Sequence, residues 1–350
     1  MVRSMTGRGT WSALVAAAAL IVSGCTAGSR STANTESAVE SLSLPESATA
    51  TPPSEGDPDR RLTFAVVTHG TAGDPFWDVV KTGAEDAGEA SNAEIDYLSD
   101  PEPGSQAQLI ASATSSGVDG LIVSMADPDA LQESIASAIA AGIPVVTINA
   151  GEERSAEFGA LTHVGQSAAS AGEGAGNRLR DAGVTTLLCV IHEAGNVALE
   201  ERCQGAARGV GGAEQGEDVR TLQVNASNIV ETETTIASEL QADPEIDGVL
   251  TLNPAVAVAA ATAIDTSGSS ATLATFEFNA DVLQAIRDGQ LLFAVDPQQY
   301  LQGYLPVVFL ALYARNGNVV GGGQAVPTGP RYITQDNVDI VEDPASIGTR

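Results

Sequence analysis

The sequence predicts an α/β protein made of two similar lobes, each with a parallel β-sheet at its centre. From residue 62 onward, apolar β-rich runs of five to seven residues alternate with longer amphipathic stretches. Near-continuous apolar strands between helices are typical of parallel sheets that are covered on both faces. Ten such strands are too many for one small sheet, and the series breaks near residues 150–165. Two lobes are therefore the simplest arrangement.

The individual elements follow from the same pattern, in chain order. A strand is predicted where a short run is apolar and β-rich, and a helix where apolar residues recur with helical periodicity. The first series of strands covers 62–68, 94–98, 120–124 and 144–148, and the second covers 161–165, 186–191, 219–224, 248–252, 271–276 and 292–295. Helices are predicted near 76–91, 104–116, 128–141, 167–182, 197–210, 229–241, 254–265 and 280–288.

Composition and charge exclude several classes of function. The chain of 350 residues has 45 acidic and 16 basic residues, a formal net charge of −29 and a single lysine, Lys81. So large an acidic excess repels phosphate backbones, which argues against nucleic acid as a partner. The three cysteines and three histidines are scattered without a CxxC pair, so neither a metal site nor a cofactor is expected.

The first residues predict export. Arg3 and Arg8 precede an apolar run over 11–22, which has the length of a signal-peptide core and is short for a membrane span. The run ends in Val-Ser-Gly before Cys25, and this resembles the bacterial lipoprotein box, in which the cysteine is lipidated and the chain is cut ahead of it. We expect a signal peptide over 1–24 and a lipid anchor at Cys25 on the outer face of the cell membrane. Ordinary secretory cleavage nearby is the alternative.

The segment after the cleavage site predicts a tether. Residues 25–60 are rich in Ser, Thr, Ala, Glu and Pro and contain almost no large apolar residues. Such a segment cannot bury enough surface to offset the entropy of ordering it, so disorder is expected. The tether would give the folded part reach above the membrane.

Several predicted strands end in a planar polar residue. Asn149, Asn253, Glu277 and Asp296 each follow an apolar run directly. In open parallel sheets ligands bind beyond the carboxyl ends of the strands, so these side chains are expected to converge on one crevice. Asparagine and acidic side chains are suited to hydroxyl groups. Capping of the following helix is the alternative, and it is strongest for Asn253, which precedes Pro254.

Six short motifs carry a family resemblance over roughly residues 62–340. They are Asp-Pro-Phe-Trp at 74–77, Val-Asp-Gly-Leu-Ile-Val at 118–123, Ala-Gly-Ile-Pro-Val-Val-Thr-Ile-Asn at 141–149, Pro-Glu-Ile-Asp-Gly-Val at 244–249, Ala-Ile-Arg-Asp-Gly at 285–289 and Gln-Tyr-Leu-Gln-Gly-Tyr at 299–304. In this order they resemble the sugar-binding proteins of bacterial ABC importers, the group of the ribose- and glucose/galactose-binding proteins.

The resemblance implies a type I periplasmic-binding fold with two Rossmann-like lobes joined by a multi-strand hinge. It places the first lobe at 61–164 plus 298–326 and the second at 165–297 plus 327–342. It also implies a monomer without enzymatic activity, which closes over a small sugar or polyol and delivers it to an ABC permease. A lipoprotein that hands a sugar or signal to a membrane sensor is the alternative. An exported hydrolase would need Glu277 and Asp296 as paired carboxylates.

The resemblance further assigns ligand contacts in the first lobe. Phe76 and Trp77 fall where the family stacks an aromatic ring on a sugar face, and Asp74 falls on a hydroxyl partner. Core packing at a helix start is the alternative for both rings. Asn149 falls on a ligand position, but the residue after it is Ala150, where ribose binders carry an arginine.

In the second lobe the resemblance assigns Arg202 as the binding arginine, whose planar fork holds two adjacent oxygens. A surface salt bridge with Glu200 or Glu201 is the alternative. Asn253 and Glu277 also fall on ligand positions, as does Asn196, while His192 and Glu193 are weaker candidates. Gln298 is only a near match at the hinge, because Pro297 occupies the usual position. The second stacking aromatic is replaced by Asn-Ala-Ser-Asn at 225–228.

Two further features concern packing. Cys189 and Cys203 flank the loop before the Arg202 helix, and outside the cell they are able to form a disulfide; two buried free thiols are the alternative. The glycine-rich run at 172–176 lacks the context of a phosphate loop, so we interpret it as close helix packing.

Overall fold

The computed structural model describes residues 60–211 and 219–350. The predicted signal peptide, Cys25 and all but the last residue of the predicted tether lie outside the described residues. Within the described ranges, none of the helices has the length and apolar character needed to cross a membrane. These residues belong to one compact unit.

Two six-stranded sheets form the centres of the two lobes. The first sheet consists of β1 (Leu62–Thr68), β2 (Ala93–Ser99), β3 (Gly120–Ser124), β4 (Val145–Ile148), β5 (Thr162–Gly165) and β11 (Val326–Pro327), in the order β11-β5-β4-β3-β1-β2, all parallel. The second consists of β6 (Leu187–Ile191), β7 (Val219–Gln223), β8 (Gly248–Thr251), β9 (Thr272–Phe276), β10 (Phe293–Asp296) and β12 (Arg331–Ile333), in the order β12-β10-β9-β8-β6-β7. Only β12 among the described strands runs antiparallel to its neighbour.

Eleven α-helices in the described part of the chain cover the sheets. They are α1 (Pro75–Ala90), α2 (Pro103–Ser116), α3 (Pro128–Ala140), α4 (Glu152–Ser155), α5 (Ala168–Asp181), α6 (Val197–Gly211), α7 (Ile229–Ala242), α8 (Pro254–Ser267), α9 (Ala280–Arg287), α10 (Gln299–Asn316) and α11 (Asp339–Ser346). The starts of α1, α3 and α8 share one local signal: a capping Asp or Asn whose side chain accepts from a backbone N–H, followed by proline at the first helical position.

Burial explains why the strand pattern was easy to recognise. The central strands β3 and β6 are buried at every position, because helices cover both faces of each sheet. The edge strands β2 and β7 are mostly half-buried or exposed. The ten predicted strands and eight predicted helices are all present, with ends that differ by one or two residues. Beyond these, the described structure has the 18-residue helix α10 and the short elements β11, β12, α4 and α11.

One predicted strand lies at the boundary between the lobes. The sequence pattern put the run at 161–165 at the head of the second series, while the family resemblance put residues up to 164 in the first lobe. In the structure β5 pairs in parallel with β4 in the first sheet. The chain therefore crosses to the second lobe after Gly165, at the start of α5. The exact residue bounds of the two lobes stay a prediction.

The chain crosses between the lobes three times within the described residues, from β5 to α5, from β10 to α10 and from β11 to β12. The crossings are hydrogen-bonded to one another. Thr328 N donates to Gly165 O at 2.9 Å, and Thr328 Oγ1 donates to Pro297 O at 2.7 Å. This is the multi-strand hinge that the family resemblance implied.

Close contact between α5 and α6 fixes the helix that carries Arg202. A Cβ added to Gly172 would lie 2.1 Å from Arg202 O, and one added to Gly205 would lie 2.2 Å from Ala169 O. Only glycine permits backbones this close, so the glycine-rich run is helix packing as predicted. A disulfide between Cys189 on β6 and Cys203 holds the same helix against the sheet.

Candidate functional site

A small pocket between the lobes collects polar side chains at the carboxyl ends of the central strands. Its volume is about 40 Å³. Eight of the nine predicted ligand residues line it: Asp74, Phe76, Trp77, Asn149, Asn196, Arg202, Asn253 and Glu277. The weaker candidates His192 and Glu193 line it as well.

The two lobes contribute to this pocket from equivalent places. β1 and β6 hold the same position in their sheets, and His69 and His192 directly follow them. β4 and β9 correspond in the same way, and they are followed by Asn149 and Glu277 with φ values of 65° and 64°. This left-handed backbone is uncommon outside glycine, and for glutamate it carries a strain of order 1 kcal/mol or more. Its occurrence at both equivalent strand ends supports a functional role for the two side chains.

The first lobe supplies a carboxylate and two rings at the start of α1. Asp74 caps the helix through Oδ1, which accepts from Phe76 N at 2.9 Å. The rings of Phe76 and Trp77 lie edge to face with centroids 5.0 Å apart, and Trp77 meets the imidazole of His69 in the same manner at 4.8 Å. Both aromatic side chains belong to the core, which confirms the packing alternative, and both also line the pocket, while their stacking on a sugar face stays a prediction.

Arg202 lies inside the second lobe rather than on its surface. Its side chain is 5% exposed, its Nη1 is 3.7 Å from Glu277 Oε1, and its guanidinium stacks over the ring of Phe276 at 4.6 Å. The alternative of a surface salt bridge with Glu200 or Glu201 is therefore wrong. Nε of Arg202 is buried and has no hydrogen-bond partner among the described residues. A fork held in place with an unused N–H is suited to bind oxygen atoms of a ligand.

The loop between β6 and α6 orients a second carboxylate. Asn196 Oδ1 accepts from Ala198 N at 3.1 Å, which caps α6, and Asn196 Nδ2 donates to Glu193 Oε2 at 3.0 Å. Asn196 therefore positions Glu193 rather than offering a free amide oxygen. One residue further, Val197 N donates to Ala126 O at 3.1 Å, which is a hydrogen bond from the second lobe to the first.

The remaining two asparagines are partly engaged. Asn253 Oδ1 accepts from Ala255 N and Val256 N, so the capping alternative is confirmed for this residue, while its side chain still lines the pocket. Asn149 Nδ2 donates to Gln302 Oε1 at 3.2 Å. Each amide thus has one end fixed by the protein and the other end available to a ligand.

Gln298 does not reach the pocket. Its Nε2 donates to Thr328 O and its Oε1 accepts from Arg350 Nη1 at 3.2 Å, so the amide is used within the hinge. Asp296 is fully buried beside it, paired with Arg350 Nη2 at 2.8 Å. Asp296 is absent from the residues that line the pocket with Glu277, so these two carboxylates, which the hydrolase alternative named, are not paired there.

Burial shifts the pKa of nearly every titratable group in the pocket. It lowers the pKa of His69 to about 3 and that of His192 to about 4, so both imidazoles are neutral at pH 7. It raises the pKa of Glu277 to about 8, against the opposing effect of Arg202 and with help from Asp74 and Glu193. Burial also raises the pKa values of Asp74 and Glu193.

A wider groove adjoins the pocket. Its volume is about 660 Å³, and it shares Asp74, Phe76, Asn253 and Glu277 with the pocket. Most of its other lining comes from the second lobe, including α9. We place the site at the smaller pocket because the buried polar groups with unused hydrogen-bonding capacity lie there. Within the described ranges no cluster of His, Cys, Asp and Glu is suited to hold a metal ion.

Sequence reasoning missed one polar residue of the pocket. His69 follows β1 directly and lines the pocket. Its Nδ1 is hydrogen-bonded to Ser124 Oγ at 2.7 Å. The signal that identified Asn149 and Glu277, a polar residue directly after an apolar strand, was present at His69 as well.

Comparison with known proteins agrees with this architecture. A family model described as a periplasmic binding protein domain matches residues 64–318. A carbohydrate transporter of Acidothermus cellulolyticus, solved in complex with myo-inositol, is 42% identical; the match covers 83% of this chain and 100% of that chain with a TM-score of 0.79. The ribose import binding protein RbsB of Bacillus subtilis is 30% identical over 245 residues, which is 67% of this chain and 76% of that protein. The xylose/arabinose-binding protein XylF of Sulfolobus acidocaldarius is 25% identical over 248 residues, spanning 59% of that protein.

Proposed function

This chain belongs to the family of periplasmic binding proteins, and we propose that it is the solute-binding component of an ABC importer that binds a small sugar or polyol between its lobes. The observation that carries the proposal is the buried guanidinium of Arg202, which faces the pocket with an unused N–H beside Glu277. A hydroxyl-rich ligand supplies the acceptors and donors that these two groups lack. The relative solved with myo-inositol supports a ring polyol as the ligand.

Binding is coupled to closure because both lobes contribute contacts. Asp74, Trp77 and Asn149 come from the first lobe, and Arg202 and Glu277 come from the second. A ligand that touches both sets favours the closed form over the open one, and only such a difference in affinity shifts the equilibrium. The pocket of about 40 Å³ holds on the order of three water molecules, so a sugar enters only after the lobes move apart.

The cellular context follows from the family and from the N-terminal sequence. Binding proteins of this family work outside the cytoplasm, and the export signal before Cys25 agrees with that location. We propose that the thiol of Cys25 carries the lipid anchor and that the closed protein, as a monomer, docks on a permease. Mass spectrometry of the membrane-extracted protein tests the anchor, because the mature lipoprotein would lack residues 1–24, which are cleaved off, and would carry acyl chains on Cys25.

The ligand class is tested by thermal shift with the purified protein against pentoses, hexoses, inositols and nucleosides. A ligand present at about 100 times its Kd stabilises the folded state by about 2.7 kcal/mol, which raises Tm by roughly 5 °C in a chain of this size. We expect such a shift with a neutral sugar or polyol. A shift with nucleosides alone would refute the ligand class.

A matched pair of variants tests the site itself. Arg202→Met is expected to weaken binding at least about 100-fold, because a buried charged hydrogen bond to the ligand is lost. Arg208→Met is the control, since Arg208 lies on the same helix with a side chain that is 46% exposed. Isothermal titration calorimetry measures both. Equal affinity in the two variants would remove Arg202 from the site.

A further inference from the structure

The pocket contains more carboxyl groups than cations. Asp74, Glu193 and Glu277 line it together, and the one charged base among its described lining residues is Arg202. The two histidines add no positive charge, because burial keeps the pKa of each well below 7. Arg202 lies 3.7 Å from Glu277, and neither Asp74 nor Glu193 forms an ion pair in the described structure.

Asp74 and Glu193 approach the pocket from opposite lobes and are both held in place. The N-cap bond to Phe76 N fixes Oδ1 of Asp74, and the amide of Asn196 fixes Oε2 of Glu193. The backbone N–H groups of Phe76 and Trp77 both lower the pKa of Asp74 by hydrogen bonding, whereas Oε1 of Glu193 accepts no hydrogen bond from the described part of the chain. The two carboxylates are near enough for Glu193 to raise the pKa of Asp74, after the larger effect of burial.

Neither Asp74 nor Glu193 has a cationic partner among the described residues, so both carboxylates favour a donor from the ligand when the lobes close. A neutral hydroxyl supplies one proton to them, whereas an ammonium supplies three donors and a positive charge. Charge-assisted hydrogen bonds are roughly twice as strong as neutral ones. A ligand carboxylate or phosphate placed there would instead meet like charge in a partly desolvated site.

We propose that Asp74 and Glu193 form a cross-lobe acceptor pair that selects a polyhydroxylated ring carrying a protonated amine, an amino sugar or aminocyclitol, and rejects sugar acids and sugar phosphates. The proposal rests on the proposed function and specifies its ligand class. Arg202 and Glu277 bind ring hydroxyls on the second lobe, while the amine lies between the two unpaired carboxylates.

Matched ligands of nearly identical shape test this selection. Calorimetry with the purified protein at pH 7 compares glucose, glucosamine and glucuronate, and in parallel myo-inositol and an inositol in which one hydroxyl is replaced by an amine. We expect the amine to bind about tenfold more tightly than the parent hydroxyl compound, and glucuronate at least about 100-fold more weakly. The two ligand series distinguish an amino sugar from an aminocyclitol.

Conservative variants tie the selection to the pair. Asp74→Asn keeps an N-cap of equal quality, and Glu193→Gln keeps an acceptor for Asn196. Each is expected to reduce the tenfold preference for the amine to less than about threefold. Asp78→Asn and Glu200→Gln remove exposed carboxylates near the same helix starts, and they control for the general negative charge of the protein.

The outcomes separate this inference from the proposed function. Tight binding of glucose or inositol without a preference for the amine overturns the amine selection and leaves sugar binding intact. Preference for glucuronate overturns it as well. A preference that persists in both pocket variants overturns the assignment to Asp74 and Glu193. Binding of no compound in either series refutes the proposed function and the inference together.

Discussion

Replacing Glu277 by glutamine tests the electrostatics of the pocket through the stability of the fold. The glutamate side chain is 12% exposed, and burial raises its pKa to about 8 despite Arg202 at 3.7 Å. In the unfolded chain the same group has its ordinary pKa of 4.5. Below pH 4.5 both states hold the proton, so the contribution of Glu277 to stability is fully present and does not vary with pH.

As pH rises from 4.5 to about 8, the unfolded chain loses this proton while the folded protein keeps it. The contribution of Glu277 to stability is therefore lost progressively over this window. The gap between the two pKa values corresponds to about 5 kcal/mol in total at about 1.36 kcal/mol per unit of pKa, and to about 3 kcal/mol at pH 7.

Glutamine has the shape of the protonated glutamate and does not titrate, and it adopts the same left-handed backbone at the same cost. The free energy of unfolding of Glu277→Gln should therefore exceed that of the wild type by an amount that grows to about 5 kcal/mol between pH 4.5 and 8.5. Other groups titrate in both proteins and cancel in the difference. Among these groups are His69, His163 and His192, whose pKa values are lowered by burial. As pH falls below 6.5 the unfolded chain protonates these histidines while the folded protein does not, so the stability of both proteins falls.

Urea unfolding at a series of pH values measures this difference by linear extrapolation, with m-values compared to verify that the same surface unfolds. Glu200→Gln is the control, because Glu200 is an exposed carboxylate on α6 and its replacement should give a curve parallel to the wild type. Parallel curves for Glu277→Gln would refute the reasoning. They would mean that Arg202 outweighs burial and keeps Glu277 ionised throughout.

Three further variants test what holds the hinge and the helices. Replacing Cys189 and Cys203 by serine together should lower the free energy of unfolding by about 3 kcal/mol, because the unfolded chain regains the entropy of a loop of roughly fifteen residues; urea unfolding checks it, and no change would refute the link. Arg350→Met should cost about 3 kcal/mol by leaving the buried carboxylate of Asp296 without its partner, and adding Asp296→Asn should restore most of that stability. Gly303→Ala should lower Tm, with a cost of at least about 1 kcal/mol, because the new methyl group would lie 1.9 Å from a backbone oxygen of α1; an unchanged Tm would contradict the close packing of α1 and α10.

The sequence predicted the fold well where the signal was local. Fully buried strands such as β3 appear as continuous apolar runs, and Asn253 before Pro254 marked the start of α8. The two-residue strand β11 has no such signal, because it is defined by its partner in the sheet. In the same way, the sheet that β5 joins is decided by its pairing with β4 and β11 and not by its own residues.

The site was predictable to the extent that it depends on strand ends. Asn149 and Glu277 followed from the rule that polar residues after parallel strands converge. Gln298 did not, because the residue that engages it, Arg350, lies 52 positions away in sequence and gives no local indication of the contact. The choice between a surface and a buried Arg202 was likewise decided only by the packing of α6 on α5.

The like charges and the unused polar groups of the pocket together explain why closure would need a ligand. Closing the lobes brings Asp74 towards Glu193, two groups of like charge, and encloses the guanidinium of Arg202 without a full set of hydrogen bonds. Each of these effects opposes closure in the absence of solute. The hydrogen bond from Val197 N to Ala126 O favours closure, but it is a neutral hydrogen bond and therefore contributes little. A polyol that donates to the carboxylates and accepts from the guanidinium reverses both unfavourable contributions at once. The affinity for ligand and the free energy of closure are then two measures of the same contacts, so a variant that relieves the repulsion between Asp74 and Glu193 should close more readily when empty and discriminate less between ligands.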